Sequence, residues 1–461
     1  MLTTIAIIMA IYMIAMVAIS WMGKKYANSF EDYVSAGKSC GIIMMIGGAM
    51  GAHIGNGLVV GGAGEGAGVG FSGIAYGIGC CISYLILPFV MNHFVYSNGY
   101  LSMGEYLSKR YHNFLPAQIF TWATVFSFIG LVGGQLMAGG ALFEALGMSK
   151  ILGVVIIAMV VFLYSQISGL WGAFATSVVQ TAVILVGLGA AGIYLFQHGA
   201  ITEIRSAVEA GTVPATFMKP IGGYTTSVLI GLVVPVSLQI ITDQATFQRI
   251  NSGKTEKVGF WGHILSAFLM IPIVMLPVFI GMYGKVHFDA SGSSAFFDVI
   301  LNILPPLFAA LVVTAVIAAV MSTIDAAFVA FSQLLLSDVY RAHIKKDATD
   351  KELSNMSKVL NIVITLIAIT FALKATSLVG LLANCYLFCE AAILVPFVGG
   401  RIWKKGSTVG AIASSLVGSA VALLELFGVY ALPYSALTMF IPAALAYIVV
   451  SLMVPDKAKT A

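Results

Sequence analysis

The stretch Gly47–Gly70 reads GGAMGAHIGNGLVVGGAGEGAGVG, and eleven of its 24 residues are glycine. Apolar helical segments flank it on both sides. Each interior glycine costs a helix about 1 kcal/mol against alanine, so a helix that merely crosses a bilayer has no use for so many. One reading is close helix packing through small residues, as in GxxxG contacts. The sharper reading is a helix that breaks at mid-membrane, where opened backbone holds an ion or a solute.

Composition sets the class. The chain is 59% hydrophobic and 9% charged, with a mean hydropathy of +0.99. Soluble proteins carry about 25% charged residues. One span takes about 20 apolar residues, so a chain of this length holds roughly a dozen. The polar stretches between spans leave no room for a separate soluble domain. A net charge of +4 points to no nucleic-acid partner. Cys40, Cys80, Cys81, Cys385 and Cys389 lie in or beside apolar runs without metal-ligand spacing, and no disulfide framework is expected.

Thirteen apolar segments follow one another, at roughly 3–21, 41–66, 71–96, 115–146, 150–166, 170–196, 225–247, 259–283, 305–337, 358–373, 378–399, 407–428 and 433–454. The first lacks a basic leader and runs directly into Lys24 and Lys25, so it reads as an uncleaved span with its N-terminus outside. On that orientation the inner side collects 18 of the 23 basic residues, Arg249, Lys457 and Lys459 among them, and the outer side five. The asymmetry supports an odd span count, an outer N-terminus and an inner C-terminus.

A second weak point sits five spans after the first. Span seven reads TTSVLIGLVVPVSLQIITDQATFQRI (225–250), with Gly231 and Pro235 inside. Proline removes a backbone donor and clashes with the preceding turn. Two interrupted spans an odd number of helices apart predict two inverted five-helix repeats. A packing kink is the competing reading of Pro235 alone.

Span nine, AAVMSTIDAAFVAFSQLLLSDVYR (318–341), is where the chain resembles the sodium:solute symporter family, which includes bacterial sodium/proline, sodium/sugar and sodium/sialic acid carriers. EYLSKRYH (Glu105–His112), SGLWGAFATSVVQT (Ser168–Thr181), QATFQRINSGKTEK (Gln244–Lys257) and PFVGGRIWKKGSTVGA (Pro396–Ala411) extend the resemblance over about 20–425. It implies an all-α membrane protein of about 13 transmembrane helices with the LeuT-type 5+5 inverted repeat, spans 2–6 and 7–11, and broken spans 2 and 7. The single transporter domain then divides into 1–40, an N-terminal span and inner loop; 41–197, repeat one; 225–399, repeat two; and 407–454, two extra spans.

The resemblance also implies a sodium site. Backbone carbonyls come from Gly51, Ile54 and Ala319, and hydroxyls from Ser322 and Thr323. Ala319, Ser322 and Thr323 stand at i, i+3 and i+4, hence on one helix face, and neutral oxygens suit a hard cation. The competing reading has both hydroxyls bonding the preceding turn. Many relatives carry an acid directly after the threonine of span six, associated with a second sodium site. Here Thr176 is followed by Ser177, and an acid, Asp325, stands on span nine instead. Ser177 and Asp325 are therefore candidates for a second ion site. A mid-membrane Asp costs about 2.5–3.5 kcal/mol and needs a partner or a water-filled cavity.

Candidate substrate-lining residues are His53, Asn56, Gly57 and Leu58 at the first break, Gln135 on span four and Gln239 on span seven. Glu65 reads as solvated near the membrane surface, and Asp243 as a partner of Arg249 in an inner gate. Glu390 and Glu425 receive no role. The expected function is sodium-coupled import of a small organic solute (an amino acid, carboxylate, sugar or vitamin) across the plasma membrane, the cell inner membrane, by alternating access. Sodium is the coupling ion, and no other cofactor is expected. Proton coupling through Asp325 or His53 is the nearest alternative, and a channel is a more distant one. No HExxH, GxSxG or GxxxxGK[ST] pattern suggests an enzyme or ATPase.

Overall fold

The computed structural model describes residues 2–26, 29–374, 378–429 and 435–456, so Lys457 and Lys459 lie outside it. Regular structure among the described residues is helical, apart from one isolated bridge between Cys40 and Gly253. Among the described residues, ten helices are long and apolar enough to cross a membrane, or eleven when one bent pair is taken as a single span. Two shorter apolar helices, Ile42–His53 and Phe440–Met453, accompany them. Aliphatic and aromatic side chains cover the perimeter, whereas buried hydroxyls, amides and charges gather inside. That is the polarity expected of a bundle whose solvent is lipid.

The helices that position the site run as follows. α1 is Leu2–Gly23, α2 is Ile42–His53 and α3 is Gly62–Val69. α4, Ala75–Leu87, continues through a π turn at Pro88–Asn92. α5 is Met103–Tyr111, capped at its start by the Ser102 hydroxyl, and α6 is Phe114–Ala145. α7, Lys150–Gln197, is divided by Gly169, whose φ of 57° and ψ of −144° interrupt the helix. At about 1.5 Å per residue its whole length would be more than twice a bilayer core, so Gly169 separates two spans. Then come α8 (Thr226–Thr242), α9 (Gln244–Ser252), α10 (Glu256–Phe288) and α11 (Pro306–Gln333). α12 (Asp350–Lys374), α13 (Leu378–Ile402), α14 (Thr408–Leu426) and α15 (Phe440–Met453) complete the chain.

Glycines let α2 lie directly on α7. A Cβ on Gly47 would stand 2.6 Å from Val178 Cγ2, and one on Gly51 would stand 2.6 Å from Ser177 Cβ. Gly48 faces the ring of Phe174 at equally short range. α2 then stops at His53, and helical geometry resumes only at Gly57.

The second bend is not where proline suggested. α8 runs through Gly231 and Pro235 without interruption, and the chain turns by 48° between Thr242 and Gln244. Proline removes one hydrogen bond, which a helix inside a bundle tolerates. Asp243 does more, because it leaves helical geometry (φ −81°, ψ 124°) to cap the next helix. Its carboxylate accepts hydrogen bonds from the Thr246 amide at 2.7 Å and hydroxyl at 2.9 Å. An N-cap carboxylate satisfies an amide that the new helix would otherwise orphan.

Arg249 is likewise not a loop cation. It lies on α9 and is 1% exposed. The bridge at Cys40 joins the approach to α2 with the end of α9, through Cys40 N to Ser252 O at 3.1 Å and Lys254 N to Cys40 O at 3.0 Å.

The packing of α2 on α7 leaves no space at Gly48. Gly48→Val is expected to lower the melting temperature of the purified protein sharply, by an overpacking cost of about 1–3 kcal/mol. Gly68→Ala, at a position with nothing within 4 Å of the added carbon, is the matched control and should melt like the wild type. Equal melting temperatures for all three proteins would remove the glycine stripe as a packing constraint.

Candidate functional site

The site is built on the end of α2. A helix leaves its last four carbonyls without helical partners. Here that end is buried, and of the terminal carbonyls Gly51 O takes a donor from another helix. Ile54, fully buried, departs from helical geometry at φ −82° and ψ 68°. In an unbroken helix the Leu58 amide would bond the Ile54 carbonyl, but it bonds Gly55 O at 3.1 Å. The Ile54 carbonyl thus falls out of the ladder. Four carbonyls just upstream meet side chains from four different helices. Thr181 of α7 reaches Gly47 O at 3.5 Å, and Arg249 of α9 reaches Gly48 O at 2.8 Å. Tyr84 of α4 reaches Ala49 O at 2.5 Å, and Thr323 of α11 reaches Gly51 O at 3.3 Å.

The residues implied for a sodium site therefore fall in one region. Thr323 Oγ1 donates to Gly51 O across two helices, whereas Ser322 Oγ donates to Ala319 O of its own turn at 3.2 Å. Both hydroxyls are 1% exposed, and Ala319, Gly51 and Ile54 are buried as well. Ser177 packs against Gly51 from α7. Asp325 is 2% exposed, and its Oδ1 has no hydrogen-bond partner. Thr176 adjoins this carboxyl but turns its hydroxyl to Gly172 O at 2.9 Å. The cation in electrostatic reach of Asp325 is Arg249.

The remaining candidates separate by role. Gln135 is 1% exposed, and its Oε1 accepts the Asn56 amide at 2.8 Å, so it satisfies the backbone at the break. Asn56 Nδ2 donates to Val316 O of α11 at 3.3 Å, while its Oδ1 is buried without a partner. Gly57 lies close under Leu382 and the Tyr76 hydroxyl, and Leu58 is buried. Gln239 is half-buried on α8. Its carbonyl accepts the Thr242 hydroxyl at 3.1 Å.

His53 and Asp243, one at each interruption, meet at 3.6 Å between Nε2 and Oδ2. Tyr84 holds the other ring nitrogen of His53 at 2.6 Å. The expected Asp243–Arg249 pair gives way to this contact, because the guanidinium turns to the Gly48 and Ala245 carbonyls. Glu65, read as solvated, is half-buried and accepts the Tyr224 hydroxyl. Glu390 is fully buried with neither oxygen hydrogen-bonded, and Glu425 is half-buried near the end of α14.

A polar lock lies beside α9. Gln244 Nε2 donates to Gln333 Oε1 at 2.9 Å and to Leu101 O at 3.1 Å, and its Oε1 accepts the Met103 amide at 3.2 Å. Gln333 Nε2 also donates to Leu101 O, at 2.5 Å. These bonds join α9 to α11 and to the segment before α5. Sequence reasoning gave no role to Tyr84, a lone polar residue, or to Gln244 and Gln333, which lie in quoted motifs whose order does not reveal the partner of each side chain. The available signal is general: a polar side chain inside a span needs a partner.

The family model for the sodium:solute symporter family matches residues 33–418. The chain belongs to that family. Among curated relatives, the osmoregulated proline transporter of Bacillus subtilis (strain 168) is 25% identical over 493 aligned positions, covering 99% of this chain and 96% of that one. Sodium/myo-inositol cotransporter 2 of Mus musculus is 24% identical over 83% of this chain, which spans 64% of that protein's length. Among solved structures, a Na+-coupled sialic acid symporter in a substrate-bound outward-open state superposes with a TM-score of 0.84. That match has 18% identity and covers 98% of this chain and 99% of the other. The fold is shared with that symporter. As a member of this family, the chain is a multi-pass membrane transporter and not an enzyme.

The Gln244–Gln333 lock should gate one side of the site. The double variant Gln244→Ala/Gln333→Ala, carrying a single cysteine at Ser252 in a background freed of its other cysteines, is expected to label with a membrane-impermeant maleimide several-fold faster than the same cysteine with the lock intact. Identical labelling rates would assign both amides to static packing.

Proposed function

We propose that this transporter is a sodium-coupled symporter that imports a small organic solute by alternating access. The observation that carries the proposal is the Thr323 Oγ1–Gly51 O contact, which joins the end of α2 to α11. Ser322 bonds Ala319 on the adjoining turn of α11, and the off-ladder Ile54 carbonyl follows Gly51 by three residues. The oxygens of Gly51, Ile54, Ala319, Ser322 and Thr323 suit sodium because uncharged carbonyls and hydroxyls can replace its hydration shell. Bound sodium would replace the direct hydroxyl–carbonyl contact and hold α2 against α11. Solute then binds beside the interrupted helices, near His53, Asn56, Gly57 and Leu58, and the assembly opens to the other side. Sodium entry at the membrane potential supplies about 2.3 kcal/mol per charge per 100 mV.

The finer architecture belongs to the same reading. Counting the interrupted and short helices as spans gives thirteen, with repeats at 41–197 and 225–399 and further spans in 407–454. The N-terminus lies outside and the C-terminus inside the plasma membrane, as the basic residues favour. The solute class stays at amino acid, carboxylate, sugar or vitamin. The names of the relatives, which include proline and myo-inositol carriers, support that range. A thermal-shift screen of such solutes, with and without sodium, identifies the ligand because anything that binds the folded state stabilises it.

Two substitutions test the ion sites. Thr323→Ala is expected to raise the sodium half-saturation for stabilisation or uptake at least tenfold while the protein remains inserted. An unchanged half-saturation would take Thr323 out of the site. Asp325, with Ser177, is the second candidate ion site, carrying on α11 the negative charge that many relatives carry on the span of Ser177. Asp325→Asn is expected to lower transport and change the charge-to-solute ratio in proteoliposomes, with sodium affinity at the first site retained. A ratio identical to the wild type would leave Asp325 as a structural residue.

A further inference from the structure

One apolar groove is lined by none of the residues of the polar centre. It measures about 820 Å³ and runs between α8, α13 and α15, with Leu238, Ile241, Val395, Val398, Trp403 and Ile448 among its walls. Its lining is almost entirely hydrocarbon, and Ile448 and Ile402 continue it onto the exposed apolar perimeter. A polar solute would find no partners there. One end is different. Arg401, Lys404 and Lys405 flank the groove residues Ile402 and Trp403 at the end of α13. Arg401 is fixed at the mouth, because one guanidinium nitrogen donates to the carbonyl of Val90, itself a wall residue, at 2.6 Å. The guanidinium also lies 4.3 Å from the centre of the Phe94 ring. Lys404 and Lys405 are exposed, and neither has an ion-pair partner among the described residues. The nearby carboxylate of Asp456 is taken by the Thr408 amide and hydroxyl. Arg110 is turned to the carbonyls of Gly400 and Trp403.

We propose that this groove binds an anionic diacyl phospholipid, with one acyl chain between α8, α13 and α15 and the phosphate at Arg401, Lys404 and Lys405. The hydrocarbon wall selects a lipid chain, and the unpaired cations select a negative headgroup. Trp403 stands where the two meet, a position that suits an amphipathic ring at a membrane interface. The wall residues Leu238 and Ile241 belong to α8, directly before the bend at Asp243. A lipid seated there contacts both the bent span and α13 and α15. Placing the headgroup in the cytoplasmic leaflet rests on the orientation proposed above. Binding itself does not, because detergent micelles have no sides.

Native mass spectrometry of the full-length protein, stripped of lipid and mixed with phosphatidylglycerol or phosphatidylethanolamine micelles, tests the site. The wild type should retain one phosphatidylglycerol in clear preference to phosphatidylethanolamine. Lys404→Gln/Lys405→Gln spares the Arg401 anchor and should lower that preference by about fivefold per lysine, since each basic residue near an anionic surface contributes about 1 kcal/mol. Ala444→Phe, which fills the groove from α15, should lower retention of both lipids. Sodium-dependent stabilisation, measured on the same samples, should persist in both variants and shows that each is folded. Equal retention of the two lipids by the wild type would overturn the proposal. So would an unchanged preference in the lysine variant, or a dimer mass in place of a lipid adduct that Ala444→Phe removes.

Discussion

A helix that ends inside a bundle must hand its terminal carbonyls to something other than water. α2 spans only twelve residues, about 18 Å at 1.5 Å per residue, and it stops at His53 in the buried centre. Thr323 answers that constraint at Gly51, and three further side chains add second hydrogen bonds to carbonyls of the preceding turn. Thr181, Arg249, Tyr84 and Thr323 approach from four separate helices, and each meets a different α2 carbonyl. Such interhelical bonds are worth about 0.6 kcal/mol each in a membrane, so the set is worth only about 2 kcal/mol. That sum is small enough for an ion or a solute to redistribute. A centre held by many weak contacts can be stable in more than one arrangement.

The same accounting explains why α2 and α9 belong together. Their far ends are tied by the backbone pairing of Cys40 with Ser252 and Lys254. Their middles are tied by the Arg249 bond to Gly48, and their inner ends by the approach of His53 to Asp243. Arg249 sits with its guanidinium 5.7 Å from the centre of the Phe174 ring and two carbonyls on its nitrogens. A buried cation so placed needs no single carboxylate partner, which frees Asp243 to cap α9 and face His53. These contacts make two short helices one mechanical piece, whereas α11 and the first break meet it through the lighter contacts of Thr323 and Asn56.

Much of this was legible in the sequence, and unevenly. Hydropathy located the membrane helices because lipid imposes one rule on every span. The glycine density of 47–70 located the tight packing of α2, since only glycine allows the approach of Val178 and Ser177. The order of short motifs along the chain led to the family. Pro235 misled because proline advertises a lost hydrogen bond, while the actual turn depends on a capping preference of Asp243 that has no strong sequence signature. Arg249 was counted with the loops, because proximity to a polar stretch resembles exposure when only one dimension is visible. Gln135 was placed near the break from sequence, but its partner there, the Asn56 amide, becomes apparent only when α6 is laid beside it. Tertiary partnership is the information that periodicity does not carry.

The division of α7 has a consequence for how the chain is made. Two spans, Lys150–Ile167 and Gly169–Gln197, are joined by almost nothing, and the space beside Gly169 is filled by Tyr33. No lysine or arginine occurs between Lys150 and Arg205. The charge signal that normally holds a loop on one side of the membrane during synthesis is therefore missing at this turn. With a connection this short, neither limb can enter the bilayer and leave the other behind. The pair therefore inherits its direction across the membrane from the charged segments on either side.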